Sequence, residues 1–110
     1  MPTVRESTTA VVVRGEWIKA GFASEPYEAG WASEAVVFLL GMDSGNGGSV
    51  RVQVSPDGMT WADEGTEIAV PGDRQVAFAR VAHFGNWLRI RANVAEGAQR
   101  RVMATFHFKG

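Results

Sequence analysis

The sequence predicts an all-β chain folded as a single antiparallel β-sandwich, jelly-roll-like, with about eight strands. Three observations carry this. Short segments rich in Val, Ile, Phe and Trp recur between turns bearing glycine, proline or asparagine, and no convincing amphipathic helix interrupts them. Ser55-Pro56-Asp57-Gly58-Met59-Thr60-Trp61 is a tight-turn signature between two extended segments. The segments around 88–94 and 102–108 alternate apolar and polar side chains, so each has one buried and one wetted face. At 110 residues, 45% hydrophobic and 21% charged, the chain has ordinary globular composition. It is read as one domain over 1–110, with 1–8 as a flexible arm.

Along the chain, Thr9–Arg14 and Glu16–Ala20 form a first strand bulged at Gly15. The 21–30 segment mixes turn formers with Phe22 and Tyr27 and reads as a loop that packs its own aromatics. Trp31–Met42 enters the core. Its Glu, Ala and Leu residues suit a helix, whereas its Val and Phe content between Gly30 and Gly41 favours a central strand. The polar, glycine-rich 43–49 segment is a hairpin tip. Val50, Val52 and Val54 then alternate with Arg51, Gln53 and Ser55.

In the hairpin, Pro56 presets φ at the first corner, Asp57 bonds backbone two residues on, and Gly58 tolerates positive φ. Asp57, Gly58 and Trp61 are therefore structural turn residues. Glu67–Val70 reads as a short strand before the Pro71-Gly72 turn. Gln75–Val81 places Val76, Phe78 and Arg80 on one face and alanines on the other, the pattern of a strand covered on both sides. On the next strand Leu88, Ile90, Ala92 and Val94 face inward, and Trp87, Arg89, Arg91 and Asn93 outward. In the last, Val102, Ala104, Phe106 and Phe108 face inward.

Eleven basic and twelve acidic residues leave a formal charge of −1, so no long-range field draws in nucleic acid or an anionic membrane. The longest apolar run, Ala35–Leu40, is far short of a membrane span. No cysteine is present, which removes disulfides, thiol catalysis and thiolate metal sites. Met1–Ser7 has no apolar leader-like run, which fits either a cytosolic protein or a mature fragment; the simpler expectation is a cytoplasmic or particle-associated protein without a signal peptide. His83 and His107 lack ligand spacing and read as structural or solvent-facing. The carboxylates Asp57, Asp63, Glu64 and Glu67 cluster around one hairpin, as acidic residues in turns commonly do. No nucleophile elbow occurs. The expectation is a non-enzyme without metal or other cofactor.

Binding chemistry rests on aromatic and basic side chains. Trp17, Tyr27 and Trp31 flank the 21–30 loop, where rings serve either to stack on sugars or to anchor a protein neighbour. Arg51, Arg89, Arg91 and Arg101 are read as one outward face, with Trp87 beside them and Glu34 as a candidate acidic partner. A Trp- and Arg-bearing face suits a subunit contact. Candidate ligand or partner contacts are thus Trp17, Tyr27, Trp31, Trp87, Arg89 and Arg91.

Ser55-x-Asp57-Gly58-x-x-Trp61, followed by Trp87-Leu88-Arg89-Ile90-Arg91, resembles the discoidin, or coagulation-factor C-type, family over residues 50–91. The resemblance implies a galactose-binding-like jelly roll, non-enzymatic, that binds glycans, lipids or proteins through loops at one end. Family members are longer and often carry a terminal disulfide, and their ligand-binding spikes have no counterpart here. Only Asp57, Gly58 and Trp61 carry over, as turn residues. The hairpin also resembles a sialidase Asp-box, but lacks one residue between Asp57 and Gly58 and occurs once, which argues against a propeller. Two functions follow as expectations. One is a structural or decoration subunit that self-associates or joins a phage-like or compartment-like particle, its partners being copies of itself or an assembly protein. The other is a carbohydrate-binding module.

Overall fold

Eight strands form in chain order: β1 Ser7–Lys19, β2 Tyr27–Glu28, β3 Glu34–Gly41, β4 Ser49–Ser55, β5 Ala62–Ala69, β6 Val76–Ala82, β7 Trp87–Asn93 and β8 Gln99–Lys109. The computed structural model describes residues 7–82 and 86–110. The strands build two four-stranded sheets, β1-β8-β3-β6 and β2-β7-β4-β5, with antiparallel ladders throughout. Successive strands cross between the sheets except at β4–β5, the one hairpin within a sheet, so the 43–49 segment expected as a hairpin tip is instead the crossover from β3 to β4. This is the expected jelly-roll sandwich, and Ser55–Trp61 closes its single local hairpin.

Between the sheets lies the core. Val37, Leu39, Val102, Ala104 and Phe106 from the first sheet meet Val50, Val52, Leu88 and Ile90 from the second, all fully or almost fully buried. Each such aliphatic or aromatic side chain contributes roughly 1.5–3 kcal/mol. β3 is a strand despite its helix-forming Glu, Ala and Leu because it pairs with β8 on one side and β6 on the other. Ladder bonds on both edges and burial of Ala35, Val37 and Leu39 override local propensity. β3 ends at Gly41, where a Cβ would lie 2.3 Å from the Pro71 carbonyl oxygen.

β1 carries two bulges, at Val12 and at Gly15, the second with φ of 65°. The first shifts the in-out alternation by one residue and the second restores it. Val11 and Trp17 therefore both face outward, while Val13 and Ile18 are buried. The Gly15 bulge was legible in the sequence; the Val12 bulge was not.

Several expectations need correction. Ser7 and Thr8 belong to β1, paired with Lys109 and Phe108, rather than to an arm; residues 1–6 lie outside the described residues, as does His83. The core strand expected over Trp31–Met42 begins at Glu34, and β5 runs from Ala62 instead of Glu67, its first half paired with β4 beyond a bulge. β6 is not covered on both sides: it is an edge strand with Val76 and Phe78 exposed. Arg101 does not share a face with Arg51, Arg89 and Arg91, because β8 belongs to the other sheet.

Candidate functional site

The β4–β5 turn is built around two side chains. The Ser55 hydroxyl accepts hydrogen bonds from the backbone N–H of Gly58 (2.8 Å) and Asp57 (3.2 Å) and donates to Asp57 Oδ1 at 3.0 Å. The same Oδ1 accepts from the N–H groups of Met59 and Thr60, both at 2.8 Å. The Thr60 and Met59 N–H groups, with the Ser55 hydroxyl, hold the Asp57 carboxyl down at about 2 from its ordinary 3.8. Gly58 has φ of 79°, and its Cα faces the Trp87 ring so closely that a Cβ would lie 3.2 Å from Cε2. Every polar atom here serves the turn.

Beside the turn, the outer face of the β2-β7-β4-β5 sheet is a polar network. Arg91, Arg51 and Glu67 form one cross-strand row, and Arg89, Gln53 and Asp63 the next. Arg89 Nε donates to Gln53 Oε1 at 2.8 Å, and Gln53 Nε2 donates to Asp63 Oδ1 at 2.9 Å. Arg51 lies 3.8 Å from Asp63 and 3.7 Å from Glu67. Glu67 also accepts from the Ser49 hydroxyl and from Asn93 Nδ2, and these bonds, with Arg51 adding, keep its carboxyl below the usual range. The Arg89 guanidinium lies over the Trp61 ring, 4.2 Å from its centroid. Burial, with Arg91 alongside, lowers the Arg89 pKa from its ordinary value. Arg51, Asp63, Gly65, Thr66 and Glu67 line a shallow recess of about 310 Å³ whose charged groups are already engaged with one another.

The three aromatic residues of the 21–31 region do not form one cluster. Tyr27 turns inward and stacks on Phe108, with ring centroids 4.8 Å apart, and Trp31 meets Phe108 edge-on at 6.0 Å. Trp17 pairs with Arg101 across β1 and β8 and is 49% exposed. It thus sits seven positions along β8 from Phe108, about 23 Å at the rise of a strand. A sugar platform made of all three rings is absent. Trp87 is half-buried against Gly58, while Arg89 and Arg91 do share the outer face expected of them.

The opposite outer face, on the β1-β8-β3-β6 sheet, is apolar. Phe78, Phe38, Thr105 and Val11 make one row across all four strands, flanked by the row Val76, Leu40 and Met103. Val76 is 59% exposed, Phe78 54%, Val11 37% and Phe38 36%. On the other flank are Arg80, Val36, His107 and Thr9. His107 lies edge-on to Phe38 at 5.0 Å with a Thr hydroxyl 3.3 Å from each ring nitrogen, Thr9 at Nδ1 and Thr105 at Nε2. It is a structural histidine on the outer face, as expected.

No protein-family model matches this chain, and no curated protein does. The fold is similar to that of the SPBc2 prophage-derived protein YomS, with a TM-score of 0.71 at 8% identity, covering 100% of this chain and 98% of that one. It is also similar to that of a subunit of Bacillus endospore appendages, described as a novel family of disulfide-linked pili. There the TM-score is 0.51 at 15% identity, over 96% of this chain and 85% of that one. At such identities the likeness is one of fold.

Among the described residues no group of three or more His, Asp or Glu side chains could hold a metal ion. Two features escaped sequence reasoning. Arg100, in a segment read as a turn, is 2% exposed and bonded to Asp43. The apolar outer face of the first sheet was assigned to the core, since Val76, Phe78 and Phe38 have the composition of buried strands. The signal that could have found it is the single-sided alanine pattern of Ala77 and Ala79 on the opposite face.

Proposed function

We propose that this chain is a non-catalytic structural subunit, acting by self-association or by docking onto a larger protein assembly of phage-like or compartment-like kind. The observation that carries the reading is the outer face of the β1-β8-β3-β6 sheet, where Phe78, Phe38, Val11 and Val76 lie together exposed. Contiguous exposed apolar rows of this kind mark protein contact surfaces. On the other sheet face Arg89, Gln53, Asp63, Arg51, Glu67 and Asn93 engage one another, so that among the described residues Arg91 is left as a lone basic group there rather than part of a convergent set of free donors. The fold likeness to a prophage-derived protein and to a pilus subunit supports the same reading. The pili are described as disulfide-linked; with no cysteine among its 110 residues, this chain would assemble by noncovalent contact alone.

Light scattering at micromolar concentration tests the proposal. The expected result is a mass above that of one chain, or recruitment to a particle. A strict monomer that binds no assembly would sink it.

A further inference from the structure

Four strands terminate the two sheets: β1 and β6 in one, β2 and β5 in the other. An edge strand presents a row of unpaired N–H and C=O groups, and folded proteins ordinarily blunt such edges with bulges, prolines, charges or brevity. β1 has two bulges, β5 is interrupted by a bulge opposite Arg51–Gln53 with Gly65 at φ of 115°, and β2 has only two residues. β6 has neither bulge nor proline, is not short, and carries a single charge. Its seven residues run in unbroken register with β3, from Val76 opposite Leu40 to Ala82 opposite Glu34, without proline. Its one charged residue, Arg80, lies 5.3 Å from the ring centroid of Phe78 on the same strand. Among the described residues, no backbone hydrogen bond from outside the β3 ladder reaches 76–82. The same strand carries the exposed Val76 and Phe78.

We infer that β6 is a homotypic docking edge, at which β6 of a second copy of this chain adds antiparallel and joins two four-stranded sheets into one continuous sheet. This rests on the assembly-subunit reading above and names its contact. The strand itself argues for a second copy as the occupant. Two copies related by a two-fold axis perpendicular to the sheet place residues of the same face opposite one another. Full overlap of Val76–Ala82 with its copy puts Ala79 on the axis and Phe78 opposite the partner's Arg80. The guanidinium then meets an aromatic ring, the pairing Arg80 already makes within one chain. No like charges face each other. A register centred one step away, on Arg80, sets two guanidinium groups opposite and is disfavoured. Charge complementarity thus favours full overlap over the Arg80-centred register, full overlap pairs all seven residues whereas a Phe78-centred register leaves two of them unpaired, and a formal charge of −1 adds little repulsion between copies.

The test uses the full chain over a concentration series, followed by light scattering and backbone amide exchange. A dimer is expected in which the outward amides of β6 are protected, losing that protection on dilution. Phe78→Lys sets a like charge against the partner's Arg80 and weakens association by roughly tenfold. Phe78→Glu retains association, and Phe78→Lys combined with Arg80→Glu restores it. Both sites are exposed, and exchange on the unsubstituted chain reads the edge even if a variant folds poorly. Self-association with β6 unprotected, or equal effects of Phe78→Lys and Phe78→Glu, overturns the β6 edge and leaves the assembly reading standing. A monomer at every concentration that binds no particle overturns both.

Discussion

Arg100 Nε donates to both carboxylate oxygens of Asp43, at 3.0 and 3.1 Å, in a site where both side chains are almost completely buried. Arg100 Nη1 and Nη2 each donate one further hydrogen bond, to the carbonyl oxygens of Gly47 (2.8 Å) and Pro71 (2.9 Å) respectively. One side chain thereby ties the glycine-rich 43–48 loop and the Pro71 turn to the start of β8. Asp43 in turn accepts from the N–H groups of Gly45 and Arg101, so the ion pair is fully hydrogen-bonded.

Arg100→Leu should cost about 3–5 kcal/mol, because it leaves a buried carboxylate without its partner. Urea unfolding of the variant beside the unsubstituted chain measures this. A loss below about 1 kcal/mol would mean that the loop rearranges to rehydrate Asp43.

Acid should weaken the same fold through carboxylates held low. Burial by itself raises the Asp43 pKa, but hydrogen bonds from Arg100, Arg101 and Gly45 outweigh it and keep the group below its ordinary 3.8. Asp57 is held at about 2. A depressed folded-state pKa contributes stability that is fully present above the unfolded value and is lost as pH falls through the folded one. Unfolding stability should therefore be flat above about pH 5 and decline from about pH 4 towards pH 2. Asp57→Asn should shallow that decline, which denaturation series at several pH values would reveal.

Gly58→Val should destabilise by roughly 1–3 kcal/mol, since it forces a β-branched residue to a φ of 79° and presses a Cβ against Trp87. The hairpin should stay paired, so near-ultraviolet circular dichroism from Trp87 should change more than the far-ultraviolet spectrum. An unchanged melting temperature would remove Gly58 from its role in the turn.

Arg89 and Trp61 should show a coupling of about 0.5–1 kcal/mol in a double-mutant cycle, the worth of a half-exposed cation–π contact. The cycle needs Arg89→Met, Trp61→Leu and the double variant. Zero coupling would assign the contact to shape alone.

The parts of this fold legible in the sequence are those whose physics is local. Ser55, Asp57 and Gly58 make their bonds within five residues of one another, so turn chemistry identified the hairpin. Val102, Ala104, Phe106 and Phe108 alternate on one strand, and alternation is enough to find an inward face. Sheet membership is not local. Arg101 and Arg89 both point outward, yet nothing near either says that they belong to different sheets. Composition likewise cannot separate an apolar side chain facing the core from one facing a partner, which is why Phe78 and Val76 were misassigned. Arg100 was missed because a charged residue in a turn-rich segment is ordinarily exposed.

β8 lies between β1 and β3 in its sheet, and Thr9 meets His107 across a separation of 98 residues. The β4–β5 hairpin, closed over residues 56–61, can form while the chain is still being synthesised. The other sheet cannot be completed so early: β1 and β3 have no shared neighbour until β8 leaves the ribosome. Until then both keep open ladders, so the window for mispairing between nascent copies stays open from the synthesis of β1 until that of β8.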